Sequence, residues 1–120
     1  MFEVSVSGSF EAAHLIDTPQ GSPGYKRMHG HSFFVTVAVA ADKPGTDGWV
    51  IDLATLQTLV NRVLAGLDHT VLNEVPGLEK PTFEHILLWI ESRMKAEGVS
   101  PSRLEIERPT LKQRAVYTPR

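Results

Sequence analysis

Cysteine is absent from this 120-residue sequence. Without a thiol the chain can form no disulfide bond, can offer no thiolate to a metal ion and has no cysteine nucleophile. These three kinds of structure and chemistry are therefore excluded at the outset.

Long apolar runs and an excess of one charge are missing as well. No stretch approaches the length of a membrane span, and the N-terminal residues alternate instead of forming the apolar core of a signal peptide. The net charge is −2 and no run of like charges occurs, so nothing indicates a nucleic-acid-binding surface. With 42% apolar and 22% charged residues, residues 1–120 are expected to form one globular domain, and the cytoplasm is the expected location.

Two histidines stand at the start of the most strand-like segment. His29 and His31 are two residues apart, so on an extended backbone both imidazoles point to the same face. The same alternation continues through Phe33 and Val35, which are expected to be buried. His-x-His also occurs by chance or for hydrogen bonding, so the pair alone leaves a metal site as one of two interpretations.

A third histidine is in phase with this pair. Residues 2–6 alternate between apolar and polar, and the apolar face of that strand continues through Phe10 and Ala12 to His14. If the two strands pair antiparallel, the three imidazoles converge at one end of a sheet. Three nitrogen ligands with no fourth protein ligand nearby are typical of a catalytic zinc ion, whose open position takes water or substrate.

The remaining pattern predicts two hairpins flanking two helices. Strands are predicted at 2–13, 31–41, 104–106 and 115–117, and helices after the N-cap residues Asp52 and Thr82, ending near Gly66 and Gly98. The order β-β-α-α-β-β favours an α+β fold, with a four-stranded antiparallel sheet and both helices on one face. Such a sheet leaves two edges unpaired, and assembly of several copies would cover them.

Several other side chains are candidates for chemistry. Asp68 and His69 could transfer protons, or Asp68 could simply hold the loop. Tyr25, Lys26 and Arg27 precede the histidines, and the two cations could bind an anionic substrate or be solvated. On the third long strand, the strand phase decides whether Glu107 or Arg108 faces a pocket, whereas His85 lies off the apolar stripe of its helix and is expected to be solvated.

Together these segments resemble the 6-pyruvoyltetrahydropterin synthase family, and most closely its bacterial branch, the 6-carboxytetrahydropterin synthases of the queuosine pathway. The segments that carry the resemblance are FEAAH (10–14), HGHSF (29–33), GWVIDL (48–53), LDHTVLN (67–73) and PTFE (81–84). They occur in the family's order and spacing over nearly the whole chain.

The resemblance implies a T-fold assembled as trimers that stack into a hexamer. It also implies zinc held by His14, His29 and His31, with 7,8-dihydroneopterin triphosphate bound between subunits. Asp68 and His69 would be two members of a proton-transfer triad. The family also has a substrate-binding carboxylate on the third long strand. An ungapped match places Arg108 at its position, but arginine offers only donors. If the strand is shifted by one residue, Glu107 would be that carboxylate.

The triad's third member is the clearest departure. The family has a cysteine four residues before the His-x-His pair, and that position is Tyr25 here. Three hypotheses follow: a synthase that uses Tyr25, an enzyme whose reaction has changed to side-chain cleavage giving a hydroxymethyl pterin, or a zinc-containing protein that binds a pterin or purine without turnover.

Overall fold

The computed structural model describes residues 1–120. Five strands form one sheet: β1 Phe2–His14, β2 His29–Ala41, β3 Thr70–Val71, β4 Arg103–Arg108 and β5 Gln113–Tyr117. Two α-helices, α1 Leu53–Ala65 and α2 Phe83–Ala96, pack against it. Neither helix is long and apolar enough to span a membrane.

The sheet order is β3-β1-β2-β4-β5, and all pairs are antiparallel except that of β1 with β3. The predicted α+β class is confirmed, but the sheet has five strands instead of four. The additional strand β3 pairs with Ala12 and Ala13 of β1 over only two residues. A strand this short carries no alternating pattern, so the sequence does not predict it.

The long β1–β2 hairpin sets the geometry of one end of the sheet. Its pairing runs without a bulge from Phe2 opposite Ala41 to His14 opposite His29. Because the register is unbroken, the predicted phase holds along β1, and Phe10, Ala12 and His14 are all buried. The histidines at the paired ends of β1 and β2 therefore lie on the core side of the sheet.

Both predicted helix N-caps are confirmed. The Asp52 carboxylate accepts a hydrogen bond from the Ala54 amide at 3.1 Å, and the Thr82 hydroxyl accepts one from the His85 amide at 3.3 Å. Gly66 caps the end of α1, and α2 ends before Gly98, whose φ of +86° is the left-handed conformation that favours glycine.

The two helices cover the same face of the sheet and enclose one apolar core. The sheet contributes inward-facing side chains that include Phe33, Val35 and Ile106, all with no exposed surface. α1 contributes Leu56 and Val60, and α2 contributes Ile86, Ile90 and Met94. Helix α1 crosses close to β1 at Gly8, where an added Cβ would lie 2.9 Å from Leu64 Cδ1.

The last strand is tied to α2 by one polar contact. The Tyr117 hydroxyl donates to Glu91 Oε1 at 3.1 Å, while Lys95 Nζ lies 3.2 Å from Glu91 Oε2. Glu91 is 8% exposed, so its carboxylate depends on these partners. We expect Tyr117→Phe to lower the free energy of unfolding by about 1–2 kcal/mol, the net value of a hydrogen bond to a charged group, as measured by urea denaturation.

The neighbouring residue supplies the control for that measurement. Val116 is 52% exposed on the opposite face of β5, so Val116→Thr should change stability by less than about 0.5 kcal/mol. Equal losses in the two variants would show that the contact with Glu91 contributes nothing specific.

Candidate metal centre

Three histidines converge at the open end of the β1–β2 hairpin. His14 is the last residue of β1 and is paired with His29, the first residue of β2, while His31 pairs with Ala12. The ring centroids are 4.6 Å apart for His14 and His29, 5.1 Å for His14 and His31, and 4.8 Å for His29 and His31. One nitrogen from each ring lies within 4.8 Å of the others, so the three could hold a metal ion.

Hydrogen bonds to two of the rings leave the right nitrogens free. His14 Nδ1 donates to the Pro81 carbonyl at 3.0 Å, and His29 Nδ1 donates to the Arg27 carbonyl at 2.7 Å. A carbonyl can only accept, so each neutral ring keeps its lone pair on Nε2. The Nε2 atoms of His14 and His31 are buried without any partner. This arrangement, in which an outer carbonyl orients a ligating ring, suits a metal ion.

The protonation states of His14 and His31 also favour metal binding. Burial lowers the pKa of His14 below its usual value, and the nearby His29 and Arg108 act in the same direction. Burial lowers the pKa of His31 to about 4, with Arg108 and the other two histidines adding to the effect. Both rings are therefore neutral at pH 7, the state in which a histidine coordinates a metal ion.

Apolar rings lie beside the histidines and fix their position. Phe33 contacts His14 and His31 edge-on, at centroid distances of 5.9 and 5.5 Å. Phe33 in turn stacks on Phe10 at 4.8 Å and has no exposed surface. Because the rings pack on a rigid part of the core, the histidines have little freedom to move apart.

Arg108 lies on the histidine side of the sheet, and Glu107 does not. Alternation along β4 places Arg108 on the face of Leu104 and Ile106, and its Cζ lies 4.1 Å from the centre of the Phe83 ring. Glu107 is paired opposite Phe34 and points to the other face. The choice of Glu107 as the substrate-binding carboxylate rested on a one-residue shift of the strand, and the observed phase is the unshifted one. Within one chain Glu107 does not adjoin the histidines.

The loop residues approach the site from the other side. Tyr25 lies in a short 3₁₀ turn, is 46% exposed, and is close enough for its phenol to raise the pKa of Arg108 against the lowering effect of burial. The side chains of Lys26 and Arg27 are exposed; Lys26 lies 4.0 Å from Asp17, and Arg27 acts here through its carbonyl. The structure thus brings Tyr25 near Arg108 but brings neither cation into contact with the histidines.

Asp68 and His69 form a pair of their own on the surface. His69 Nδ1 lies 2.8 Å from Asp68 Oδ2. Asp68 Oδ1 accepts a hydrogen bond from the Glu11 amide at 2.9 Å. The His69 amide donates a hydrogen bond to the Glu11 carbonyl at 2.6 Å. Neither Asp68 nor His69 forms a hydrogen bond or an ion pair with the three histidines. Glu11 is nevertheless next to Ala12, which pairs with His31.

The pair has perturbed titration that can be measured directly. The hydrogen bond that His69 donates to Asp68 raises the pKa of His69, because the carboxylate stabilises the protonated ring. We expect His69 to titrate above its usual value of about 6.5 in an NMR pH series, and Asp68→Asn to bring it back towards that value. Identical His69 titrations in both proteins would show that the contact is absent in solution.

Sequence reasoning missed the partners that are not side chains. The rings of His14 and His29 are held by the carbonyls of Pro81 and Arg27, and Asp68 is held by the backbone of Glu11. Contacts with backbone atoms cannot be predicted from a pattern of residue types. The contact of Arg108 with the face of the Phe83 ring likewise has no sequence signal.

Comparison with known proteins agrees with this geometry. The family model for 6-pyruvoyl tetrahydropterin synthase matches residues 3–120. A putative 6-carboxy-5,6,7,8-tetrahydropterin synthase of Archaeoglobus fulgidus is 39% identical over 106 residues, covering 86% of this chain and 84% of that protein. A dihydroneopterin monophosphate aldolase of Pyrococcus furiosus is 34% identical over 87 residues, covering 72% of this chain and 69% of that protein.

Solved structures show the same fold. The 6-pyruvoyl tetrahydropterin synthase of Caenorhabditis elegans superimposes with a TM-score of 0.79 at 23% identity, covering 99% of this chain and 96% of that chain. On the family match across nearly its whole length, the chain belongs to the 6-pyruvoyl tetrahydropterin synthase family.

Proposed function

We propose that this protein is a zinc-dependent lyase that acts on the side chain of a phosphorylated dihydroneopterin, with 7,8-dihydroneopterin triphosphate as substrate and a 6-carboxytetrahydropterin as product. The observation that carries the proposal is the set of three histidines that place one nitrogen each within 4.8 Å of one another, with the Nε2 atoms of His14 and His31 left without a protein partner. All-nitrogen ligation by three side chains, with an open position left, is the arrangement of a catalytic zinc site.

His14, His29 and His31 would hold the zinc ion. When bound, zinc supplies Lewis acidity that makes a nearby hydroxyl a stronger acid. The chain's own residues then have three tasks: Phe33 and the Pro81 carbonyl hold the rings in place, Arg108 supplies a positive charge beside them, and Tyr25 supplies a hydroxyl that can give or take a proton.

Asp68 and His69 would act on the substrate across a contact between copies of the chain. Within one chain they bind the backbone of Glu11 and form no hydrogen bond with the three histidines. The family resemblance implies a substrate bound between subunits of a hexamer, and assembly of this kind would cover the exposed edges of the sheet. A cleft of about 470 Å³ is lined by both Glu11 and His31, so it links the neighbourhood of the pair to the metal centre.

Side-chain cleavage to a hydroxymethyl pterin is the second candidate. The chain has no cysteine and carries Tyr25 at the position of the family's thiol. The Pyrococcus furiosus relative is named a dihydroneopterin monophosphate aldolase, which makes a cleaving activity plausible on this fold. In such a retro-aldol step a side-chain hydroxyl loses its proton as the carbon–carbon bond breaks, and the pterin-bound carbon gains one; a tyrosine can serve as the proton carrier.

The test is to incubate the zinc-loaded protein with 7,8-dihydroneopterin triphosphate and, separately, with the monophosphate, and to identify products by mass. A 6-carboxytetrahydropterin would support the synthase, and a hydroxymethyl pterin would support the second candidate. No turnover of either substrate, with the pterin bound and zinc present, would reject both and leave a binding protein.

A further inference from the structure

Arg108 is a cation beside the metal centre without an anionic partner. Its Nε atom is buried and has no hydrogen-bond acceptor. The flat face of the guanidinium lies over Phe83 with Cζ 4.1 Å from the ring centre, but a cation–π contact uses only that face. The N–H groups point out in the plane of the guanidinium and still require an acceptor.

The surroundings of Arg108 provide no negative charge. Arg108 forms no ion pair with any residue of the chain. No carboxylate is among the groups that shift the pKa of His31 or of Arg108, and Glu107 points to the opposite face of the sheet. A zinc ion held by three neutral imidazoles would make this end of the sheet still more positive.

An unpaired arginine with a buried Nε atom, extending an electropositive site, fits an oxyanion. The planar fork of a guanidinium matches two oxygens of a phosphate with two parallel hydrogen bonds. It does not match the amino and ring N–H edge of a pterin, because both sides would be donors. The donors of Arg108 therefore select a group on the ligand that only accepts.

We propose that Arg108 binds the phosphate on the side chain of the ligand while the neighbouring part of that side chain occupies the three-histidine site. This inference rests on the proposed function and adds the group that the protein recognises. It makes Arg108 a determinant of specificity for phosphorylated over unphosphorylated pterins.

Calorimetric titration of the zinc-loaded protein with two matched ligands tests the proposal. 7,8-Dihydroneopterin monophosphate and 7,8-dihydroneopterin differ only in the phosphate. We expect Arg108→Gln to weaken binding of the monophosphate by about 10- to 100-fold, the loss that follows from removing a charge-assisted hydrogen-bonded pair, and to change binding of the unphosphorylated pterin less than about threefold. Arg108→Lys should recover part of the loss, because it restores the charge without the fork.

Lys43→Gln is the matched control, since it removes one exposed positive charge just beyond the far end of β2 from His29. It should leave both affinities unchanged. Equal weakening of the two ligands by Arg108→Gln would mean that Arg108 contacts the ring, and no weakening would mean that it contacts neither; both results overturn the proposal.

A second measurement separates this inference from the proposed function. Inorganic phosphate should shift the NMR signal of the Arg108 Nε–H group, identified by its loss in Arg108→Gln, even if the protein turns over no pterin. If the protein converts pterins, but excess phosphate does not shift the Nε–H signal and Arg108→Gln distinguishes the two ligands as the unmodified protein does, the proposed function is retained and this inference is rejected. If the protein shows no turnover but its Nε–H signal responds to phosphate, this inference is retained and the proposed function is rejected.

Discussion

We expect the His29→Ala variant to be isolated without zinc. His29 contributes one of only three nitrogens at the centre, and no fourth histidine or carboxylate belongs to that group to replace it. Loss of an outer partner alone typically costs 10- to 100-fold in metal affinity, so loss of a ligand should cost more than about 100-fold. Metal content after dialysis, measured by atomic emission, reports the result, and turnover should disappear with the metal.

His85→Ala is the matched control for that experiment. His85 is an exposed histidine on α2 whose ring bonds only the Lys80 carbonyl, and its replacement should leave one zinc ion per chain. Circular dichroism should show that both variants are folded, because His29 is only partly buried at the strand end. Stoichiometric zinc in a folded His29→Ala variant would contradict the assignment of the three ligands.

The hairpin that carries these ligands was accessible from sequence because one physical rule governs all of it. Side chains on a strand alternate, and a long pairing without a bulge preserves the phase from Val6 to His14 and from Val37 to His31. The helix caps at Asp52 and Thr82 were equally accessible, since a cap is a local interaction within three residues.

Features that depend on a break in alternation were not accessible. His69 has a φ of +59°, and this left-handed conformation lets its ring meet the side chain of the preceding residue, Asp68, which an extended backbone would direct to the other side. β3 follows immediately and is recognised only through its pairing with β1. Neither feature has a period that a sequence pattern could contain.

The choice between Glu107 and Arg108 as a substrate-binding residue stays a prediction, and the length of β4 explains why the sequence left it open. β4 is six residues long and ends at Arg108, directly before Pro109, so its sequence offers only two clearly buried positions from which to fix the phase. The resemblance favoured a carboxylate, and the shift that provides one moves Glu107 onto the histidine side. In the fold, burial of Leu104 and Ile106 decides the phase and places Arg108 there.

Among the variants that keep the metal, Tyr25→Phe is expected to have the largest effect on the reaction. The substitution removes only the hydroxyl and keeps the ring in its turn. If that hydroxyl carries the proton in place of the family's thiol, turnover should fall by about 100- to 10,000-fold, the usual contribution of one acid–base group. Zinc content and pterin affinity should stay close to those of the unmodified protein. Steady-state rates and calorimetric titration measure the two quantities separately.

Tyr117→Phe provides the matched control, because Tyr25 and Tyr117 are the two tyrosines of the chain. Tyr117 bonds Glu91 between β5 and α2, so its variant should lose stability but keep its turnover below the unfolding temperature. Undiminished turnover in Tyr25→Phe would remove Tyr25 from the chemistry.

Tyr25→Cys then distinguishes the two candidate reactions. It places a thiol at the position where the family resemblance implies one. Because a thiol is a stronger acid than a phenol, it is the better proton carrier near neutral pH.

If the pocket around the three histidines is otherwise that of a synthase, the variant should form more 6-carboxytetrahydropterin than the unmodified protein. If the pocket is built for cleavage, the hydroxymethyl product should persist, because Arg108 and the orientation that it imposes on the ligand are unchanged. A variant that binds zinc and pterin yet makes neither product would contradict the assignment of position 25 to proton transfer.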